Sequence, residues 1–384
     1  MVFSRVFSAA LAVVLLFAQG EPVEATSEMV SPSVRVNGMG QAGVALPDEP
    51  AGYYNPGAAA LSSPAHTLQS RFYLREMPWL GETTYSYFAT QVAAERVLDG
   101  LSWKSPTKLR AAFYGYRTKI DFGELPRINE IGTFTATDAS NNIGISLALR
   151  SVVEVGIGAT TKWISSKIDV LEGSAKAYDF GLMAVVPMVG VLERLTGREF
   201  TLNQHLRPQL DIGFGVAWQN RGGESITYTD QLFADPLPVT KRHGWSGSFG
   251  MDWRSDSFSL ALGQATFSQE IFRRTYYPYE GDSYVPSPAE HDKSGVEVSI
   301  METVSIRRGT SDGLDGDIDL KTSGWTIKSD GLFKFFAHQL GSNPLSPERD
   351  ALQFLARHLS ISWSRFEYDP TWPAQGHSFI GLSF

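Results

Sequence analysis

Large apolar residues alternate with glycine, alanine and serine along most of this chain, and a period of two marks β-strands whose two faces meet different surroundings. Ile143, Ile145, Leu147 and Leu149 alternate with Gly144, Ser146 and Ala148, and Ile212, Phe214, Val216 and Trp218 with Gly213, Gly215 and Ala217. Phe258, Leu260 and Leu262 repeat the pattern, as do Leu359, Ile361 and Trp363 among serines. In a β-sandwich the large side chains would share a core. In a transmembrane barrel they face lipid, and the small or polar face lines the lumen.

Such segments number about fourteen, an even count, as single-chain bacterial barrels have. They fall near 67–74, 83–91, 107–118, 141–149, 152–168, 175–187, 207–229, 243–254, 256–270, 293–300, 302–309, 318–331, 358–368 and 375–384. With both termini on the periplasmic side, the tightest connections (Arg150 and Ser151; Ser255 to Ser257; Met301 and Glu302) become periplasmic turns. The stretches Lys119 to Ser140, Asp230 to Arg242 and Ile271 to Asp292 become long extracellular loops. The connections Val92 to Pro106, Met188 to Leu206 and Leu332 to Arg357 are long for the periplasmic side. Val97 and Leu101 in the first, and Leu352, Leu355, Ala356 and Leu359 after Ser346-Pro347-Glu348 in the last, have helical spacing, so a short amphipathic helix is expected in each, with an unrecognised strand as the alternative. The fold class is thus all-β, a transmembrane antiparallel barrel.

The ends of the chain agree with export. Arg5 precedes an apolar run from Val6 to Ala18 and then small residues, the pattern of a secretory signal peptide over residues 1–25, with cleavage after Gly20 or Ala25. With Cys 0, no disulfide framework and no acylated cysteine is available. No later run reaches the roughly 18 apolar residues of a spanning helix, and Phe180 to Leu192 is short and holds Pro187. An aromatic share of 12% with 36 glycines suits barrel girdles and crowded strands. The net charge of -8 argues against nucleic acid as a partner. At the other end Ile380, Leu382 and Phe384 alternate with Phe379, Gly381 and Ser383. This resembles the last strand of outer-membrane barrels, which the barrel-insertion machinery reads. It implies the bacterial outer membrane, with its lipid, as the destination.

Gly38, Gly40 and Gly43 spell GxGxxG after the strand-like Val34-Arg35-Val36, the fingerprint of a dinucleotide loop. The context fails: Val44-Ala45-Leu46 runs into Pro47 and Pro50 where a helix should open, and no acidic residue follows a second strand at the required distance. The wider segment from Asn37 to Ser63 instead resembles the N-terminal hatch of FadL-type outer-membrane transport proteins. The likeness is carried by Gly40, Ala42, Gly43, Asp48, Asn55, Pro56 and the alanines that follow, with Gly57 in place of the usual Ala. Glycines and alanines let backbone pack closely in a confined lumen, and Asn55 has the chemistry to bond the unpaired backbone of an irregular buried segment. Leu210 to Gly222, Leu237-Pro238 and Gly295 to Gly309 resemble the PorV/PorQ-like branch of the same superfamily.

The resemblance implies a lumenal plug over residues 26–64, with Gly38, Gly40, Gly43, Asp48, Asn55, Pro56 and Gly57 as hatch residues, and a barrel over 65–384. It implies passive passage of hydrophobic small molecules or, following the branch, capture of exported proteins and their transfer to surface attachment.

Catalysis is not expected. His66, His205, His243, His291, His338, His358 and His377 form no metal-ligand spacing, no serine sits in GxSxG, and no cofactor motif stands. Asp315, Asp317 and Asp319 alternate, but Leu320 stands where a calcium loop needs Gly and no Glu closes it. Arg254, Arg307 and Arg308 end apolar strands and are expected in the lumen or at the interface. Tyr276, Tyr277, Tyr279 and Tyr284, among prolines, suit either capture of an apolar or protein ligand or an aromatic girdle.

Overall fold

The computed structural model describes residues 31–49, 52–62, 68–76, 83–98, 107–126, 132–222, 225–229, 234–235, 237, 239–254, 259–275, 289–312, 320–339, 351, 354–355, 359–368 and 377–383. After two short helices, α1 (Val34–Gly38) and α2 (Ala59–Ser62), come β1 (Leu68–Glu76), β2 (Thr84–Leu98), β3 (Thr107–Pro126), β4 (Thr133–Arg150), β5 (Glu154–Ile168) and β6 (Leu171–Pro187). Helix α3 (Met188–Thr196) leads to β7 (Leu206–Arg221), β8 (Ile226–Tyr228), β9 (Ala234–Asp235), β10 (Val239–Arg254), β11 (Ser259–Thr275) and β12 (Ala289–Ile300). Then follow β13 (Val304–Ser311), β14 (Leu320–Lys328), α4 (Asp330–Gln339), β15 (Ser360–Tyr368) and β16 (His377–Ser383).

All 16 strands belong to one antiparallel sheet, in which β8 and β9 hang from β6. The remaining fourteen pair in chain order, with β7 passing directly to β10. β1 pairs with both β2 and β16, and β5 with β6, so the pairings run in a ring. The fourteen ring strands match the fourteen expected segments one for one. No helix among the described residues is long and apolar enough to cross a membrane, which says nothing of strands.

The ring's two faces divide the side chains in the reverse of the order water imposes. Ile157, Phe214, Phe249 and Ile306 stand outward with 52–62% of their surface exposed, while Lys162, Asp179, Glu270 and Arg307 face inward at 2% or less. A water-soluble sheet buries the first kind and exposes the second.

Several sequence expectations are corrected. Val97 lies in β2, because a partner strand, Lys108 of β3, takes up its backbone bonds and overrides the helical spacing; Leu101 lies outside the described residues. The helix in the connections appears instead at α3, ended by Gly197 in the left-handed conformation, and at α4. Of the helix expected from Leu352, Leu355, Ala356 and Leu359, one turn is seen, with Leu359 N donating to Leu355 O at 2.8 Å; Leu352 and Ala356 lie outside the described residues. Val34-Arg35-Val36 is helical, not extended, since the Ser33 hydroxyl caps it by accepting from Val36 N at 3.2 Å. Most of Lys119 to Ser140 is strand, so this stretch is not the long loop expected: Lys119 and Asp121 are half-exposed positions of β3, and Asp138 and Ser140 are buried inward positions of β4. Residues 276–288 of the Ile271 to Asp292 connection lie outside the described residues. The segment 207–229 divides into β7 and β8. Where β12 turns into β13, Met301 and Glu302 both take φ of 52°, the left-handed pair that matches hairpin twist.

Candidate functional site

Residues 31–49 and 52–62 are mostly buried and touch strands on opposite sides of the ring, β11 and β14 on one and β4 and β6 on the other. After α1, Gly40 and Gln41 take φ of 64° and 63° and reverse the chain. Gly40 N donates to Thr322 Oγ1 of β14 at 3.0 Å, and the same hydroxyl donates to Gly38 O at 3.1 Å. The chain then turns against β11, where one carboxylate oxygen of Glu270 accepts from Gly43 N and Val44 N, both at 2.9 Å. Its other oxygen accepts from Arg242 Nε of β10 at 2.6 Å. Ser246 Oγ donates to Ala45 O at 2.7 Å and Gln219 Nε2 to Tyr53 O at 2.8 Å. Irregular backbone buried away from water needs such partners, and the lumen wall supplies them.

On the far side the 3₁₀ turn Pro56–Ala58 is capped by Asn55, whose Oδ1 accepts from Gly57 N at 3.0 Å. The Asn55 amide nitrogen donates to Val44 O at 3.0 Å and to Leu182 O of β6 at 2.9 Å. One side chain thus ties two stretches of the segment to each other and to the wall.

Close approach explains the glycines of the strands. A Cβ on Gly213 or Gly215 would lie 2.6 or 2.0 Å from the carbonyl oxygens of Ala45 and Val44, and one on Gly181 2.2 Å from Asn55 Oδ1. The small face of the alternating pattern is therefore the imprint of the inner segment. Gly57 belongs to the same fit: a Cβ there, as the usual Ala would carry, would stand 2.6 Å from Gly156 O.

The two walls hold the segment by different forces. Toward β10 to β14 they are ionic: Arg35 Nε donates to Glu297 Oε1 at 2.8 Å while its NH1 meets Asp48 Oδ2 at 2.6 Å, and Glu297 Oε2 accepts from Arg307 Nε at 2.5 Å. Lys293 Nζ donates to Gln41 Oε1 at 3.1 Å. Toward β2 to β6 the contacts are neutral. Ala58, Ala60 and Leu61 pack on Ala93, Ala112, Ala148 and Met183, and Tyr53 and Tyr54 join Tyr85, Tyr87, Tyr114 and Tyr116. Burial, with the Glu49 carboxylate next in effect, pushes the Tyr54 phenol well above its ordinary range, so it stays neutral beside Ser31 Oγ at 2.5 Å.

The residues singled out from sequence do not converge on one pocket. Gly38 and Gly40 meet β12 to β14, Gly43 meets β11, Asp48 pairs with Arg35, and Asn55, Pro56 and Gly57 meet β5 to β7. Ile380 and Leu382 lie in β16, opposite Leu74 and Phe72 of β1; Phe384 lies outside the described residues, as do residues 1–30, Asp315 to Asp319 and the four tyrosines of 276–284. Arg307 faces the lumen, and Arg308 stands outward where the run Val304 to Ile306 ends. Sequence reasoning missed Arg35, Arg242, Glu270 and Glu297. Arg35 lies in α1, and the only local signal of the other three is a charge at an inward position of a strand. Among the described residues no group of three His, Asp or Glu side chains is placed to hold a metal ion.

No family model matches the chain, and no curated protein matches its sequence. Among solved structures it is similar to the CymD monoaromatic hydrocarbon channel, at 11% identity over 92% of this chain and 96% of that chain with a TM-score of 0.31. It is also similar to the P. putida toluene transporter TodX, at 8% over 86% and 91% with a TM-score of 0.32. The transport unit of the autotransporter AIDA-I from Escherichia coli gives 8% over 84% and 91% with a TM-score of 0.33. Likeness at this level says nothing of what the chain carries.

Proposed function

We propose that this chain is an outer-membrane β-barrel of residues 65–384, plugged by a hatch of residues 26–64, that lets hydrophobic small molecules pass passively. The observation that carries the reading is the inversion of the ring's faces. Aliphatic and aromatic side chains stand half exposed on the outside, whereas charged and polar side chains such as Lys162, Asp179, Glu270 and Arg307 are buried inside; this is how a barrel sits in lipid. Phe214→Arg, at an outward position inside the apolar band, is expected to cost about 2–4 kcal/mol of folding stability in phospholipid vesicles. Equal urea midpoints for variant and parent would contradict insertion, since at a water-facing position the same change is close to neutral.

The route runs along the neutral wall. A hatch ion-paired to β10–β14 and packed on β2–β6, among the described residues, through apolar side chains, tyrosines and neutral hydrogen bonds separates most readily on the second side, and that side offers apolar lining. Ala60 and Ser146 face each other there, with Ala60 N donating to Ser146 Oγ at 3.2 Å. In a chain without native cysteines, Ala60→Cys with Ser146→Cys joined by a short thiol crosslinker is expected to stop uptake of a hydrophobic fluorescent probe into vesicles. The same pair left unjoined should pass it. Uptake unchanged by the crosslink would sink the route, and a co-purified exported protein in place of probe uptake would favour the secretion role instead.

A further inference from the structure

The outward face carries charge in a pattern that the lumen and hatch do not use. Along each ring strand from β3 to β15 the apolar outward run ends toward one side of the ring, the side of the β5–β6 turn. With one exception, the first charged outward residue beyond that run is a lysine or arginine wherever a strand has one. The exception is Asp292 on β12. Three of these cations are already paired, Lys167 with Glu172, Arg273 with Glu290 and Arg365 with Glu367. Six have no carboxylate partner among the described residues: Arg117, Lys176, Arg221, Lys241, Arg308 and Lys321.

Register confirms that they share the outer face. Arg221 stands directly opposite Tyr178, which is 37% exposed among outward neighbours, and Lys241 opposite Trp218. Lys176 stands opposite Trp163, with its Nζ 5.8 Å from that ring's centre and 5.7 Å from that of Tyr178. Aromatic rings and cations thus sit together at the rim of the apolar band, where a lipid headgroup begins.

The pattern is one-sided and runs against composition. At the opposite end Lys108 closes on Glu95, Arg150 on Glu154 and Lys334 on Glu302, and Arg96 is the outward cation of β2 without a carboxylate partner among the described residues. A chain with a net charge of -8 has no general surplus of cations to scatter. Six cations with no carboxylate partner among the described residues, in a collar around one rim, call for an anion outside the protein, and the occupant continuous with an apolar band is a lipid.

We infer that this collar binds the phosphate-bearing headgroups of anionic lipids in the leaflet on the β5–β6 side. The site rests on the reading of the outer band as a lipid face. Guanidinium and ammonium groups bond phosphate oxygens, while the neighbouring Trp and Tyr rings pack on the glycerol and upper acyl region.

The full barrel is reconstituted in nanodiscs of equal phosphatidylglycerol and phosphatidylcholine, and the lipids retained on release into the gas phase are counted by native mass spectrometry. Parent protein is expected to retain phosphatidylglycerol preferentially. Arg117→Gln, Lys176→Gln and Lys241→Gln together should reduce that preference by on the order of five-fold per cation removed. A control with Arg96→Gln and Arg150→Gln at the other rim should keep it, and heat-dependent gel mobility shows that each variant is folded. Equal retention of both lipids by the parent, or equal loss in the control, would overturn the site while leaving the barrel intact. Abolition of the preference by millimolar inorganic phosphate would identify a free-anion site and overturn the lipid assignment. Failure of the parent to enter nanodiscs at all would remove both the site and the membrane reading beneath it.

Discussion

Glu270→Ala is expected to unlatch the hatch without dismantling the ring. The carboxylate of Glu270 is fully buried and serves three donors, Gly43 N, Val44 N and Arg242 Nε. Its removal leaves two backbone N–H groups unpaired and a buried guanidinium without its counter-charge, a loss of about 3–5 kcal/mol for breaking a buried pair from one side. The strands keep their ladders, so the cost falls on the local opening of residues 31–49, read as roughly 10²–10³-fold faster amide exchange at Gly43 and Val44. Arg242→Met added to Glu270→Ala should recover part of the loss, because no uncompensated charge then remains. Exchange at Gly43 as slow in the single variant as in the parent would show that the carboxylate does not hold the turn.

Gly40→Ala should act as strongly by a different force. Gly40 has φ of +64°, and an added Cβ would stand 2.3 Å from Thr310 O, 2.4 Å from Ser294 O and 2.7 Å from Thr310 N. All three are backbone atoms of paired strands and cannot swing aside. Left-handed strain of about 1–2 kcal/mol adds to an overlap that only displacement of the segment relieves, for a total of about 3 kcal/mol or more. Gly197 supplies the comparison: its φ is +70° but nothing lies within 4 Å of a Cβ, so Gly197→Ala should cost only the strain. Limited proteolysis of the folded barrel distinguishes them, with residues 31–62 cut rapidly in the first variant and protected in the second. Equal protection would mean that the wall gives way at β12 and β13.

The strands were legible because their signal is local. Alternation located fourteen ring strands, and the tight connection at Met301 and Glu302 marked a true hairpin. The errors have a shared cause. Val97 was misplaced because helical spacing in four or five residues is weaker than an adjacent strand offering a ladder. Lys119 to Ser140 was misread as a loop because strand residues such as the buried Asp138 and Ser140 have loop composition. Gly38, Gly40 and Gly43 of the inner segment were visible as a motif, but what they pack against was not. GxGxxG looks the same whether a phosphate or a strand lies against it.

What the sequence determined by itself was which residues of each strand lie on one side and which on the other, since the direction of a side chain in a strand is set by parity alone. It also determined that residues 37–63 are built for close packing. Only the tertiary structure decided what each face meets. Arg35 finds Glu297 across 262 positions and Thr322 finds Gly38 across 284, pairings that depend on the ring's register and on the path of a segment made of short helices and turns. A charge in a strand carries no local mark of its partner, because Coulomb attraction and hydrogen bonding act through space. The glycine rows show the same division: their spacing was plain in the chain, and their reason lay in the backbone of another segment a few ångströms away.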